Sequence, residues 1–520
     1  MRTEADSGGV PRAVEDGSVT VGGSITGDGS ITGAGAVIAG AAVTDDELAA
    51  FDRTIARLRA LPLDDPRRVR AERAAGTLVR EARMVRRKER RRQQAAADAA
   101  VLAATATGAP ERREDTALDQ RAGTVGELSR PRRCYVCKAL YRRTDSFYHL
   151  LCPPCARDNA GHRALRTDLT GRRVLLTGGR VKIGFQLALM MLRDGAELLV
   201  TSRFPRDTRR RFAAAPGSAD WLGRLTVIGI DLRDPRQVLG LCQALREEGR
   251  PLDVLVNNAA QTIRRAPASY ALLTARERGE LPDGIRLAPG FRSDLALLDR
   301  RHAGALGLVP RAATAPVPGT AVAPASACVP TPAPVRAPAA TPGPAAELTV
   351  DEAGLLPDAS PANSWTVRLG DLDPAELLET QLVNALAPTL LCDRLLPLLL
   401  ASPHPRRYVV NVSAVEGRFA VHKKTGRHPH TNMAKAALNM LTRTSGPELA
   451  AHGVHMCSVD TGWITDENPL PIKDRSARAG FRTPLDIVDG AARVYDPIVR
   501  GEAGDPVSGV FLKDYREADW

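Results

Sequence analysis

The sequence predicts an α/β chain: a doubly wound parallel sheet with helices on both faces. A small four-cysteine unit and an N-terminal helical and disordered region precede it. Three observations predict this fold. Residues 172–184, RRVLLTGGRVKIG, read as a short apolar strand, a glycine turn and a helix start. Residues 254–260, VLVNNAA, give another strand that ends in two asparagines. Residues 408–417, YVVNVSAVEG, and 428–441, HPHTNMAKAALNML, supply a later strand and the helix beyond it. Strand–helix alternation of this kind sets the strands side by side and sends the helices to the two faces.

Composition bounds the rest. The 520 residues leave room for several domains, and 43% apolar content is enough for a core. Aromatics are only 4%, against 44 Gly and 38 Pro, a skew that suggests ordered domains carrying Ala-, Gly- and Pro-rich stretches. The start, MRTEADSGG, lacks the apolar segment of a signal peptide, and no run of 18 apolar residues exists. The eight cysteines do not pattern as a disulfide framework, so a cytoplasmic, reduced protein with no membrane segment is expected.

Residues 1–43 hold the small repeat GSITGDGSITGAG and no apolar period, and are read as disordered. Residues 44–104 read as a basic helical segment. Leu48, Phe51, Ile55 and Leu58 fall at helical spacing behind Thr44 as N-cap, and Pro62 and Pro66 end that helix. A second helix from about Arg67 to Ala104 carries eight basic residues between Arg80 and Arg92 within a net charge of +12. That stretch could neutralise nucleic-acid phosphates, but it has no interleaved aromatics, so a solvated charged helix is the expected reading. Residues 105–130 read as a linker.

Residues 131–160 contain Cys134-x2-Cys137 and Cys152-x2-Cys155, with 14 residues between the pairs. Two CxxC turns can present four thiolates to one tetrahedral Zn2+, and so short a segment has little core of its own. With no open ligand position such a zinc is structural, fixing a protein-partner or inter-domain surface. His149 lies nearby as a packing residue.

In the main body, 167–520, strands are expected near 173–177, 197–201, 225–230, 253–257, 407–412, 453–459 and 507–512. An insert at 268–366 interrupts it. Its stretch from 313 to 346 is almost entirely Ala, Pro, Val and Thr, and Pro removes the backbone donor that helix and sheet need. The insert's flanks are expected to pack on the body.

The ordered set of motifs over 167–520 resembles the short-chain dehydrogenase/reductase family, and the resemblance implies a Rossmann-like fold and a nicotinamide dinucleotide. The family's TGxxxGxG turn is matched by Thr177, Gly178 and Gly184, but Lys182, just before Ile183, stands where the middle glycine belongs. Lys182 or Arg180 could pair with the cofactor phosphates as charge-assisted donors. Lys182 could equally point to solvent, or the pyrophosphate site could be degraded. After the second strand come Ser202, Arg203 and Arg206 rather than an acid, which favours NADP(H) over NAD(H). Asp231 matches the residue near the adenine, Asn258 the one lining the cofactor pocket. Gly462 and Thr465 match the loop beside the nicotinamide, where Thr461 replaces a proline.

The family's reaction centre is a Ser, a Tyr and a Lys, with an Asn that anchors a water relay. Asn384 and Lys435 match, but the Ser position is Ala414 and the Tyr position is Thr431. A threonine hydroxyl titrates far above tyrosine's ~10 and is a poor acid near neutrality. Ser413 reaches the Ser position only by a one-residue slip. The other candidate donors are His428, His430 and Tyr270, since imidazole titrates near ~6.5. The candidate catalytic set is Lys435, Asn384, Thr431 and His428. Two function classes follow: an NADP(H)-dependent oxidoreductase with altered acid–base groups, or a dinucleotide-binding sensor or scaffold without turnover. A third reading, a partner- or nucleic-acid-binding protein, makes the sheet domain mainly structural. The family resemblance also implies a homo-oligomer.

Overall fold

The structure, a computed structural model, describes residues 42–292, 350–421 and 424–520. The expected disorder over 1–41 and the Ala/Pro-rich stretch 313–346 lie outside the described residues. The chain divides into two compact units, 1–88 and 89–520.

In the first unit the helix Asp45–Arg59 starts as its sequence dictates. The Thr44 hydroxyl accepts from the Glu47 N–H, and the Glu47 carboxylate accepts from the Thr44 N–H, a capping box. Its apolar stripe is only partly covered: Leu48 and Phe51 are exposed, Ile55 and Leu58 half-buried. The second helix runs Pro66–Ala103, and its basic residues between Arg80 and Arg92 face solvent.

The second unit is organised by a nine-stranded sheet. Its strands are β3 (Arg173–Leu176), β4 (Glu197–Ser202), β5 (Leu225–Gly229), β6 (Val254–Asn257), β7 (Ile285–Leu287), β8 (Arg407–Ser413), β9 (Val454–Asp460), β10 (Val510–Lys513) and β11 (Arg516–Ala518). The order across the sheet is β11-β10-β9-β8-β6-β3-β4-β5-β7, parallel except for β11. All seven strands expected from the sequence are present. β7, from the insert, was not expected. It pairs with β5, where Gly229 leaves room: a Cβ there would lie 2.7 Å from Leu287 and 2.8 Å from Phe291.

The β3 side chains alternate between two cores, as period-two geometry requires. Val174 and Leu176 pack with the helices Lys182–Arg193 and Ile487–Glu502, while Leu175 packs with Pro235–Glu247 and Ala387–Leu400. Both faces are covered, which is why these strands are nearly all apolar. The helical stretch 374–400 is long and apolar enough to cross a membrane by length and composition, but Leu391, Leu395, Leu398 and Leu399 fill the core.

The segment read as a linker, 105–130, is built into the body instead. Thr105, Ala106 and Thr107 are buried, the Arg112 guanidinium donates to the carbonyls of Thr483 and Leu485, and the Leu118 N–H donates to Asp486. From Thr124 it forms β1 (Thr124–Arg133), paired with β2 (Leu140–Asp145). The misreading has a physical cause: this polar stretch gains its order from distant partners, not from an apolar period of its own.

Candidate functional site

Four sulfurs converge between β1, β2 and the helix Pro153–Arg163. The Sγ atoms of Cys134, Cys137, Cys152 and Cys155 all lie within 4.8 Å of one another, with Cys137 and Cys152 3.5 Å apart. Cys134 also accepts the Cys152 N–H at 3.3 Å, the kind of bond that steadies a metal-binding thiolate. His149 is turned away, its Nδ1 2.8 Å from the Thr107 hydroxyl, and burial holds it neutral at about 3. The unit is anchored to the sheet domain. The Tyr148 hydroxyl donates to Asp489 at 2.6 Å, Arg163 is paired with Asp486, and Arg493 donates to Asn159 at 2.8 Å.

At the carboxyl ends of the parallel strands lies a cleft of about 810 Å³. Gly178, Arg180, Lys182, Ile183, Gly184, Ser202, Arg203, Asp231, Asn258, Thr431, Lys435, Gly462 and Thr465 all line it. Thr177, Asn384 and His428 do not. The cysteine unit also reaches this cleft: Tyr135 and Lys138 line it, and the Tyr135 hydroxyl accepts the Trp463 N–H at 2.9 Å.

The glycine turn is tightly made. Gly178 has φ +72°, and a Cβ there would sit 2.8 Å from the Ala259 Cα. A Cβ on Gly184 would lie 2.2 Å from the Gly178 carbonyl oxygen. The Asn258 amide donates to the carbonyls of Thr177 and Gly178 at 3.0 and 2.9 Å, and the Thr177 hydroxyl accepts the N–H groups of Asn258 and Ala259. Thr177 and Asn258 therefore hold the turn's shape.

The two cations expected at the phosphates have acidic partners already. Arg180 donates to Asp207 and to the Ala353 carbonyl, both at 2.8 Å. Lys182, in the left-handed region at φ +54° where the family pattern has glycine, is 3.0 Å from Asp115 and 3.7 Å from Glu467. Those two carboxylates raise its already high pKa despite burial. Thr465 is engaged too, its hydroxyl donating to Asp115 at 2.6 Å. Asp115, from the supposed linker, thus joins two residues expected to hold the cofactor. Ser202 accepts from the Phe204 N–H and the Thr208 hydroxyl, Asp231 is paired with Arg233 at 2.8 Å, and Arg206 with the Gly279 carbonyl. Arg203 differs: its guanidinium lies over the rings of Tyr270 (5.3 Å) and Phe204 (5.9 Å) at the end of β4.

At the other end, on β8 and the helix Pro429–Ala451, Lys435 is buried and donates to the Val412 carbonyl at 2.7 Å. Burial pulls its ammonium down to about 8, opposed by Glu416. One turn before it, the buried Thr431 hydroxyl has no hydrogen-bond partner among the described residues. Ser413 donates its hydroxyl to Asn439 at 2.6 Å, so it does not replace the hydroxyl that Ala414 lacks. Asn384 sits in a π-helical turn, Leu382–Leu386, and clamps the backbone of Gln261 at both its N–H (2.7 Å) and its carbonyl (3.0 Å).

His428 is not placed for proton transfer to the cleft. Its ring stacks on Trp365 at 3.9 Å and bonds Asn432, and its φ of +40° fixes the turn into the helix. His430 is fully buried, 3.2 Å from Glu376. Tyr270 lies at the Arg203 end; β4 and β8 are three strand spacings apart, roughly 14 Å. Sequence reasoning missed two carboxylates that line the cleft, Glu416, which faces Lys435, and Asp460 at the end of β9. Burial raises both. The signal available for Glu416 was its place two residues after Ala414.

This arrangement defines a class before any comparison: a Rossmann-like dinucleotide fold whose cleft retains a buried lysine and a clamped glycine turn. The family model described as short chain dehydrogenase matches residues 172–275. An uncharacterized protein of Acanthamoeba polyphaga mimivirus is 26% identical over 382 residues, 71% of this chain and 71% of that protein. A "Probable oxidoreductase" of Streptomyces antibioticus is 33% identical over 141 residues, 26% of this chain, which spans 41% of that protein. The C-signal protein of Myxococcus xanthus is 29% identical over 136 residues, 26% of this chain and 80% of its own. Over residues 172–275 the sheet domain is thus similar to short-chain dehydrogenases.

Proposed function

We propose that this chain is an NADP(H)-dependent oxidoreductase of the short-chain dehydrogenase/reductase type with altered acid–base groups. The observation that carries the reading is Lys435: a lysine buried in the cleft, beside a Thr431 hydroxyl unpartnered among the described residues, at the position where the family keeps its lysine. The residues fit the cofactor best at its adenosine end, where Arg203 lies over aromatic rings and Asp231, which it faces electrostatically, is already paired with Arg233, leaving the guanidinium suited to a 2′-phosphate. The glycine turn, Asn258 and the start of the helix Lys182–Arg193 would face the diphosphate. The bound dinucleotide supplies or accepts a hydride. The chain's own groups would orient it: Lys435 at the ribose, with the Asn384 clamp on Gln261 keeping the wall of the cleft in register.

Activity is tested by following NADPH consumption with a panel of aldehydes, ketones and enoyl compounds. Lys435→Ala is expected to abolish turnover, and turnover that survives it removes this assignment. A second reading, a dinucleotide-binding sensor or scaffold, is favoured by a specific observation: Arg180, Lys182 and Thr465 are all held by acids of this chain. We infer further that the four cysteines hold one structural zinc ion, since tetrahedral Zn–S bonds of about 2.3 Å need sulfurs under 4 Å apart and the cluster is near that size.

A further inference from the structure

We propose that Glu416 is the proton donor of this site, protonating the oxygen of an aldehyde or ketone as it is reduced. The proposal rests on the dinucleotide-dependent reading above and adds to it the group that the family's missing tyrosine leaves unassigned. The other donors that the family pattern points to at this end of the cleft are spoken for or unsuited, and the Tyr135 hydroxyl, reaching the cleft from the cysteine unit, is engaged with the Trp463 N–H and pushed further from acidity by burial. Ala414 has no hydroxyl, Ser413 donates its hydroxyl to Asn439, and His428, stacked on Trp365, does not line the cleft. Thr431 offers a hydroxyl to bind an oxygen but is too weak an acid to protonate one.

Glu416 lies in the 3-10 turn Val415–Gly417, which rests directly on Lys435: a Cβ on Gly417 would be 2.7 Å from the Lys435 carbonyl carbon. Both residues line the cleft. The charged groups facing Glu416 come from three elements. Lys435 is on the helix, Asp460 is at the end of β9, and Lys424 is in the loop, its ammonium taken by the Glu416 backbone carbonyl rather than by the carboxyl. Asp460 is itself committed, accepting the Val415 N–H at 3.2 Å with Lys513 3.9 Å away. Burial, reinforced by Asp460, pushes the Glu416 carboxyl upward against the pull of its own backbone and of the two lysines.

The step balances. Bound NADPH would supply the hydride for the new C–H bond at the carbonyl carbon, and the C=O π pair would move to oxygen. That oxygen takes the Glu416 carboxyl proton as the O–H bond of the acid breaks. The carboxylate left behind faces the Lys435 ammonium, and water at the cleft mouth restores its proton. The reverse direction uses the same carboxylate as base.

The test has two readouts. Infrared spectra of the full chain near pH 7, with and without NADPH, are expected to contain a protonated-carboxyl band that E416Q lacks and D460N keeps. In the carbonyl panel, E416Q is expected to lower kcat by about 100-fold or more, with KM changed far less, and to remove a pH limb that E416D retains shifted. If NADPH binds but no such band is lost in E416Q, or E416Q turns over like the wild type, the assignment of Glu416 is overturned alone. If calorimetry finds no NADPH binding at all, the dinucleotide reading fails, and this one with it.

Discussion

Replacing Asp115 by asparagine is expected to tighten NADPH binding. Its carboxylate accepts the Thr465 hydroxyl at 2.6 Å and holds Lys182 at 3.0 Å, so two residues expected at the cofactor are occupied by an acid from elsewhere in the chain. A dinucleotide must either displace this carboxylate or bind beside it. The Lys182 side chain is 35% exposed and Asp115 18%, so solvent screens the pair. An exposed pair contributes about 0.2–1 kcal/mol and a charged hydrogen bond about 1.5–3. Asparagine keeps an acceptor for Thr465, and Glu467 still faces Lys182 from 3.7 Å, so only part of this is released. About 1–2 kcal/mol is a reasonable total, or roughly 5- to 30-fold in Kd. The assay is calorimetric titration of wild type and D115N with NADPH at low and high salt. The gain is expected to shrink with salt. Unchanged or weaker binding by a folded D115N protein would refute the idea that Asp115 competes with the cofactor.

Lys435 gives a pH signature. Burial lowers its ammonium from 10.5 to about 8, so between those values the unfolded chain binds the extra proton and stability rises with pH. Lys435→Met is expected to flatten that rise, worth about 3 kcal/mol in urea unfolding compared near pH 7 and near pH 10, and equal slopes in both proteins would contradict it. Purified chain is expected to contain one zinc ion per molecule under reducing conditions, and Cys152→Ser to lose it and melt at lower temperature; full-length protein free of zinc would contradict the cluster's assignment. Because the Tyr135 hydroxyl accepts the Trp463 N–H in the cleft wall, metal loss is also expected to weaken NADPH binding.

The seven core strands were legible because each is a short apolar run between turn signals, and a sheet covered on both faces demands that pattern. β7 was not, since IRL is too short and too polar to stand out; it is a strand only because β5 ends in Gly229 and has an open edge. The glycine turn, Asn258, Thr431 and Lys435 could be placed in the cleft from their order alone. Their partners could not. Asp115 and Glu467 reach Lys182 from segments 67 residues before and 285 after it, and nothing local in either marks the encounter. His428 drew attention through its spacing to Lys435, but a left-handed turn and the Trp365 ring decide where an imidazole points. The cysteine pattern identified the cluster, and only the fold revealed that its neighbour Tyr135 forms part of the cleft.

The central claim is a working dinucleotide site that prefers a 2′-phosphate, and calorimetric titration of the full chain with NADPH, and in parallel with NADH, tests it most directly. The account predicts that NADPH binds and NADH binds much more weakly, with Arg203→Glu reducing the difference. Binding of neither would contradict it, leaving Lys182 and Asp115 as the mark of a lost site.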